Sequence, residues 1–196
     1  DVAPSRGLGD VYKRQILEEY FAAKEPEQEV PVVSEVIDIN HTKEYEDLTI
    51  HKVNEHTRAY IKIQDGCNQF CSYCIIPYTR GRIRSKNPEE VIEEVKNLAA
   101  QGYKEIVLTG IHLSSYGKDL GIVTLLDVIK RIQQVEDVER IRLGSLEPRI
   151  ITEEFVKELV KCDKVCPHFH LSLQSGCDET LKRMNRKYTT EEYEEA

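Results

Sequence analysis

Three cysteines, Cys67, Cys71 and Cys74, stand within eight residues of the stretch GCNQFCSYCIIPYTRGRIRSK (66–86), spaced C-x3-C-x2-C. Thiolates are ligands for soft metals, and three on one short loop can converge on one metal centre. They leave a fourth coordination position open. Structural zinc takes four closed ligands, usually as two pairs, and no second C-x2-C or neighbouring Cys/His pair completes a set within this loop. A cube of iron and sulfur held by three protein thiolates keeps one iron available for another molecule. A chemically active cluster therefore fits this spacing better than a structural ion, with zinc completed by a distant ligand as the alternative.

Behind the cysteines come four cations in seven positions, Arg80, Arg82, Arg84 and Lys86. Residues 66–86 contain no acid, in a chain with 35 acidic residues and a formal net charge of −8. An overall negative field disfavours a polyanion partner, so such a partner would have to be held by a local patch, and arginine's planar fork suits phosphate. A solvated basic loop is the plainer reading. Cys162, Cys166 and Cys177 lie too far apart for a second cluster without tertiary help and read as small buried hydrophobes. His168 and His170 alternate along a strand-like run, as a possible metal pair or as hydrogen-bonding fill, while His51, His56 and His112 are isolated and receive no role.

The elements that must position these groups are announced by their caps. Asn87-Pro88-Glu89-Glu90 opens a helix whose Val91, Ile92, Val95, Leu98 and Ala99 share a face that ends at Gly102. Thr124 caps a second, with Leu125, Leu126, Ile129 and Ile132 on one side, and Thr152 a third, with Phe155, Val156, Leu159 and Val160 in register. Between them lie strand-length apolar runs at 60–63, 106–109, 141–143 and 169–173, giving a β-α-β-α-β-α-β-α order and a parallel sheet. A last helix pair, near 178–184 and from Thr190 onward, stops at Ala196 in mid-pattern. Because a closed (β/α)8 barrel takes about 250 residues, four strands make part of a barrel or of an open doubly wound sheet, and the chain reads as truncated. The cysteines follow the first strand, at the C-terminal end where such folds place their chemistry.

The first fifty-odd residues differ. Residues 1–15 share no periodicity with the rest and read as an assembly artefact or a disordered end. Residues 16–56 read as a linker and the end of a preceding domain, with short strands at 36–40 and 48–53. No apolar run approaches the roughly 20 residues needed to cross a bilayer, and no signal-peptide core opens the chain. The cytoplasm, with no membrane partner, is the expected setting, where six cysteines favour metal or catalytic roles over disulfides.

The C-x3-C-x-aromatic-C loop, with Tyr73 in the aromatic place, resembles that of the radical S-adenosylmethionine superfamily. RAYIKIQDGCNQFCSYCIIPYTRGRIRSK (58–86), EIVLTGIHLSSYG (105–117), RIRLGSLEP (140–148) and FHLSLQSGCDETLKRMNRKYT (169–189) are similar to its methylthiotransferase family. GRIRSK and the last of these runs look most like the branch acting on threonylcarbamoyladenosine in tRNA; isopentenyladenosine tRNA or a ribosomal protein is the alternative acceptor. The resemblance implies a partial (β/α)6 barrel of the TIM-like kind, about four β/α units at 57–196, truncated at its C-terminus. It implies that Cys67, Cys71 and Cys74 bind a 4Fe-4S cluster whose open iron chelates S-adenosylmethionine. Tyr73 and Ile75 would flank the adenine, and Thr109, Gly110, Ser145, Glu147, Ser172 and Gln174 would serve the methionine and ribose groups. Arg80, Arg82, Arg84 and Lys86 would face the RNA.

In that family, one electron from the cluster cleaves S-adenosylmethionine, the resulting radical takes hydrogen from C2 of the adenine, and sulfur from a second cluster adds there. The electron would come from a flavodoxin or ferredoxin. The second cluster belongs to three cysteines of an N-terminal domain, and no cysteine precedes Cys67 here. The chain as given is expected to bind the radical cluster and S-adenosylmethionine at most, and not to complete methylthiolation. A structural metal-binding module without catalysis is the competing class.

Overall fold

A computed structural model describes residues 38–46, 57–121 and 123–196. Its centre is a four-stranded sheet in the order β2-β1-β3-β4. Strand β1 (Arg58–Asp65) buries Ala59, Ile61 and Ile63 completely. It ends in the cysteine loop, from which the chain returns through a single helical turn α1 (Ile76–Thr79) into β2 (Arg84–Ser85), a two-residue antiparallel partner of Gln64 and Asp65. Helix α2 (Pro88–Ala100) then crosses over to β3 (Glu105–Gly110), which runs parallel to β1 from Arg58↔Glu105 to Gln64↔Gly110. Helix α3 (Leu125–Gln133) leads to β4 (Arg140–Leu143), parallel to β3. Helices α4 (Glu153–Leu159), α5 (Asp178–Arg183) and α6 (Thr190–Glu195) follow. The result is a partial barrel of the TIM-like kind.

The caps work as the sequence implies. Asn87 accepts from the Glu89 N–H, and Thr124 and Asp127 form a reciprocal capping box, each such cap being worth about 1 kcal/mol. Val91, Val95 and Leu98 of α2 and Val128, Ile129 and Ile132 of α3 are wholly buried against Ile106, Leu108 and Ile141 of the sheet. Burial of each large aliphatic side chain contributes about 1.5–3 kcal/mol before entropy is counted. This one-sided core fixes β1, β3 and β4 in parallel, so their C-terminal ends open on the same edge.

Two expected strands take another form. The fourth, at 169–173, is not a ladder. The chain runs beside β4 through two isolated parallel bridges, Ile141↔Val165 and Leu146↔Leu171. Between them Pro167 has no N–H to give and the His168 N–H turns back to the Cys166 carbonyl at 2.7 Å, which interrupts pairing. Of the run expected at 36–40, the described residues 38–40 belong to a 3-10 turn at Ile39–His41 instead, because the Asp38 carboxylate accepts from the Asn40 N–H at 3.0 Å and caps a helical start. The run at 48–53 and residues 1–15 lie outside the described residues.

Candidate cluster and cofactor site

The cysteine loop begins at the C-terminal end of β1 and is held at both sides. Gly66 has φ +67°, and a Cβ there would meet the Arg82 carbonyl oxygen at 1.8 Å, so only glycine lets the returning strand lie this close. The Cys67 N–H then reaches the Gly81 carbonyl at 3.0 Å, closing the loop's neck. Asp65 organises that neck: it accepts from Gly66 N–H (2.7 Å), Lys62 Nζ (2.7 Å) and Arg80 Nη2 (2.7 Å), with Arg84 Nη2 at 3.7 Å. Burial alone would raise this carboxyl, but hydrogen bonds from Arg80 and Lys62 outweigh it and hold it below the ordinary carboxylate range.

Within the loop, Cys67 and Cys71 are buried and Cys74 is half-buried. Burial pushes the Cys67 thiol up, and its neighbours Cys71 and Cys74 push it further. Phe70 is held at φ 51°, unusual for a residue with a side chain, with its ring edge-on to Tyr78. Cys74 and Ile75 lead into α1, whose N-cap is Ile75. Tyr73 and Ile75 are exposed, and the Tyr73 hydroxyl donates to Gln174 Oε1 at 3.1 Å.

Its far side is fastened by a segment that sequence reading left without a role. The Ser72 N–H donates to the Met184 carbonyl at 3.1 Å, and Asn185 Nδ2 to the Phe70 and Gln69 carbonyls at 2.7 and 3.4 Å. Arg186 Nη1 lies 3.2 Å from Cys71 Sγ. Tyr188 Oη donates to the Ser172 carbonyl and accepts from the Gln174 N–H. The run Met-Asn-Arg-Lys-Tyr belongs to a stretch that carries the family resemblance, yet taken by its residue types it looks like an ordinary polar turn, and its role in holding the loop shows only in the fold.

The remaining expected contacts gather along the same edge. Gly110 gives way to Gln64, whose Cβ and Oε1 would stand 2.9 Å from a Cβ there. Gln64 in turn donates to the Asp65 and Gly66 carbonyls and accepts from the His112 N–H at 2.7 Å. Thr109 spends its hydroxyl on the Ile61 carbonyl at 3.1 Å. Ser145 pairs with His170 Nδ1 at 2.8 Å, so His170 meets a serine rather than His168. Glu147 is 5% exposed, receives Arg149 Nε at 2.9 Å and stands 3.9 Å from His112 Nε2. His112 is thus part of the site edge: its Nδ1 meets Ser115 Oγ at 2.6 Å, and burial holds its pKa below the ordinary histidine value. Ser172 contributes backbone only among the contacts found.

The cation rim is corrected by the fold. Lys86 is 2% exposed and bonded to the equally buried Glu94 at 2.8 Å, and Arg84 is 5% exposed beside Asp65. Arg80 is turned onto Asp65 as well. The acids that neutralise them lie outside the 66–86 window, Asp65 on β1 and Glu94 on α2, and the three side chains turn inward onto these carboxylates. Arg82 alone of the four is exposed, its guanidinium 4.6 Å from the Phe70 ring centre.

Three thiols with no carboxylate or imidazole among them suit iron and sulfur. Among the described residues no group of three His, Cys, Asp or Glu side chains is gathered closely enough to hold a single metal ion. Two buried polar atoms on this edge, Arg186 Nε and His112 Nε2, have no hydrogen-bond partner among the described residues. The donor set and these atoms fit a cluster with a polar cofactor beside it.

Comparison with known proteins gives the frame. The Radical SAM superfamily model matches residues 61–196. The threonylcarbamoyladenosine tRNA methylthiotransferase MtaB of Bacillus subtilis (strain 168) is 45% identical over 160 residues, which are 81% of this chain and 36% of that protein. A tRNA-2-methylthio-N(6)-dimethylallyladenosine synthase of Clostridium botulinum (strain Hall) is 45% identical over 149 residues, 76% of this chain and 33% of its own length. The chain therefore spans about a third of either curated relative. Among solved structures, the radical S-adenosylmethionine methyltransferase TsrM from Kitasatospora setae aligns with a TM-score of 0.56 over 70% of this chain and 27% of that one, at 22% identity, a likeness of fold. With the strand-end loop of three thiols lying inside the matched span, this chain belongs to the radical SAM superfamily.

Proposed function

We propose that the chain is the radical core of a tRNA methylthiotransferase, acting at C2 of an adenosine beside the anticodon, with N6-threonylcarbamoyladenosine as its acceptor. The observation that carries the reading is the loop of Cys67, Cys71 and Cys74 at the end of β1, closed at its neck by Asp65 and Gly66 and on its far side by residues 184–188. The names of the curated relatives support tRNA methylthiolation, and two acceptors occur among relatives at the same 45% identity.

When bound, the 4Fe-4S cluster supplies one electron to S-adenosylmethionine, whose cleavage yields a carbon radical able to take hydrogen from an adenine. The chain's own part is placement. Cys67, Cys71 and Cys74 would hold the cluster, and the closed neck keeps the loop from splaying. Exposed Tyr73 offers a ring, steadied through its hydroxyl by Gln174, against which a nucleobase can stack. Glu147, buried and oriented by Arg149, supplies carboxylate acceptors for ribose hydroxyls or an ammonium group, with His112 beside it. Exposed Arg82 is the cation left to meet RNA phosphate. A flavodoxin or ferredoxin as electron donor, a second cluster in the whole enzyme and a cytoplasmic setting complete the proposal.

Anaerobic reconstitution with iron and sulfide tests the core. A brown product with thiolate-to-iron charge-transfer absorbance, four irons per chain on this reading, is expected; a colourless chain binding one zinc would replace it with a structural metal module. The acceptor is read by mass spectrometry of tRNA nucleosides from a strain lacking the whole gene. Loss of the methylthio group from threonylcarbamoyladenosine supports the assignment, and its loss from dimethylallyladenosine instead would move it to the other branch.

A further inference from the structure

Arg186 lies 115 positions from the cysteine whose sulfur it touches, and its surroundings fix it there. Asn185 turns the chain at φ 56° after α5 and ties its own amide to the Phe70 carbonyl. On the other side the Arg186 guanidinium lies 5.1 Å from the ring centre of Tyr188, which is 3% exposed and bonded at its hydroxyl to residues 172 and 174. A cation–π contact and a backbone tie on either flank hold a planar, permanently charged group against Cys71 Sγ at 3.2 Å. No carboxylate is bonded to it among the described residues, whereas Arg80 and Arg84 are turned onto Asp65. The nearest comparable donor to a loop sulfur is neutral, the Gln69 N–H at 3.4 Å from Cys67 Sγ.

We propose that Arg186 is a positioning residue for the cluster, aiming Cys71 and making the cluster easier to reduce. The inference rests on the reading that the three cysteines hold a 4Fe-4S cluster. Reduction adds one electron, from an external low-potential one-electron donor, and makes the cluster one charge more negative. A fixed cation beside a ligand sulfur favours the more negative state, and hydrogen bonds to sulfur act in the same direction. Half-burial of the guanidinium limits the screening that water and salt would otherwise impose.

The test uses the 196-residue chain, reconstituted anaerobically and titrated potentiometrically by visible absorbance and electron paramagnetic resonance, without S-adenosylmethionine. Arg186→Gln is expected to load iron near the wild-type level while its reduction equilibrium falls about tenfold, which is 59 mV more negative for a one-electron couple. Arg186→Lys restores most of the shift. Asn185→Ala, which loosens the loop without changing charge, lowers loading but leaves the midpoint of the loaded fraction unchanged. A midpoint equal to wild type in Arg186→Gln overturns the proposal, and so does an Asn185→Ala shift of the same size. Should Arg186→Gln load too little to titrate, a lysine variant that loads supports the charge role, and one that fails as well overturns it. A wild-type chain that forms no cluster overturns the cluster reading itself, and this inference with it.

Discussion

Two arginine-bearing segments border the cysteine loop, and they have opposite fates. Residues 80–86 follow the cysteines directly and carry four cations without an acid, yet Arg80 and Arg84 turn onto Asp65 and Lys86 onto Glu94. Residues 184–188 lie far along the chain, and it is Arg186 that reaches a cysteine sulfur. Local charge density is a poor guide when neutralising groups come from neighbouring elements. The first segment uses its charge to build the neck of the loop, the second to approach its reactive atoms.

The comparison breaks most visibly at the sulfurs. Cys71→Ala should abolish the charge-transfer absorbance of the reconstituted chain, whereas Cys166→Ala, buried beside β4 and away from the loop, should leave it. Next in size is Lys86→Met. Removing one partner of a buried ion pair takes the counter-charge from the other, here Glu94, at a cost of about 3–5 kcal/mol in urea unfolding. The double variant Lys86→Met, Glu94→Leu should recover most of that loss; if the single change costs under about 1 kcal/mol, the inward reading of the first segment fails.

Asp65→Asn is smaller, about 1–3 kcal/mol, since it leaves Arg80 and Lys62 without their shared carboxylate. The sign of its pH dependence is fixed. A carboxyl whose folded pKa lies below the ordinary 3.8 stabilises the fold fully above that value, and the stabilisation is lost as pH falls through the folded pKa. Acid unfolding of the wild type should be steeper below about pH 4 than that of Asp65→Asn; identical acid limbs would contradict the depressed pKa. Smallest is Arg82→Ala, where losing an exposed contact with Phe70 should cost under about 1 kcal/mol of stability. Binding of the tRNA anticodon stem-loop should weaken in that variant and the salt slope should drop by about one, and no change in either would remove Arg82 from the RNA surface.

What could be read in advance follows the range of the interactions. Asn87, Thr124 and Thr152 cap their helices through bonds spanning two or three residues, and such short-range chemistry is written in the sequence. The parallel order of β1, β3 and β4 was legible for the same reason, since each strand and helix announces its own period. The broken fourth strand was not, because the apolar run at 169–173 is β-like while its pairing is decided upstream by Pro167 and the turn at His168. The cysteine loop was legible from spacing alone. Its supports, Asp65 within the burial pattern of β1 and Asn185 and Arg186 over a hundred residues away, depend on distant contacts that no local pattern encodes. His112 reads as isolated in sequence and becomes part of the site only when β3 and β4 bring it to Glu147.

The ties from residues 184–188 also set an order in time. A loop whose neck closes locally but whose far side is tied by partners about 115 positions later must wait for those ties on the ribosome, about 6–23 seconds at about 5–20 residues per second. During that interval Cys67, Cys71 and Cys74 have left the tunnel with half of their enclosure missing, open to oxidants and to adventitious zinc. On the reading that these thiols hold a cluster, delivery would follow synthesis of this domain, and a stall between residues 75 and 184 would leave the far side of the loop untied.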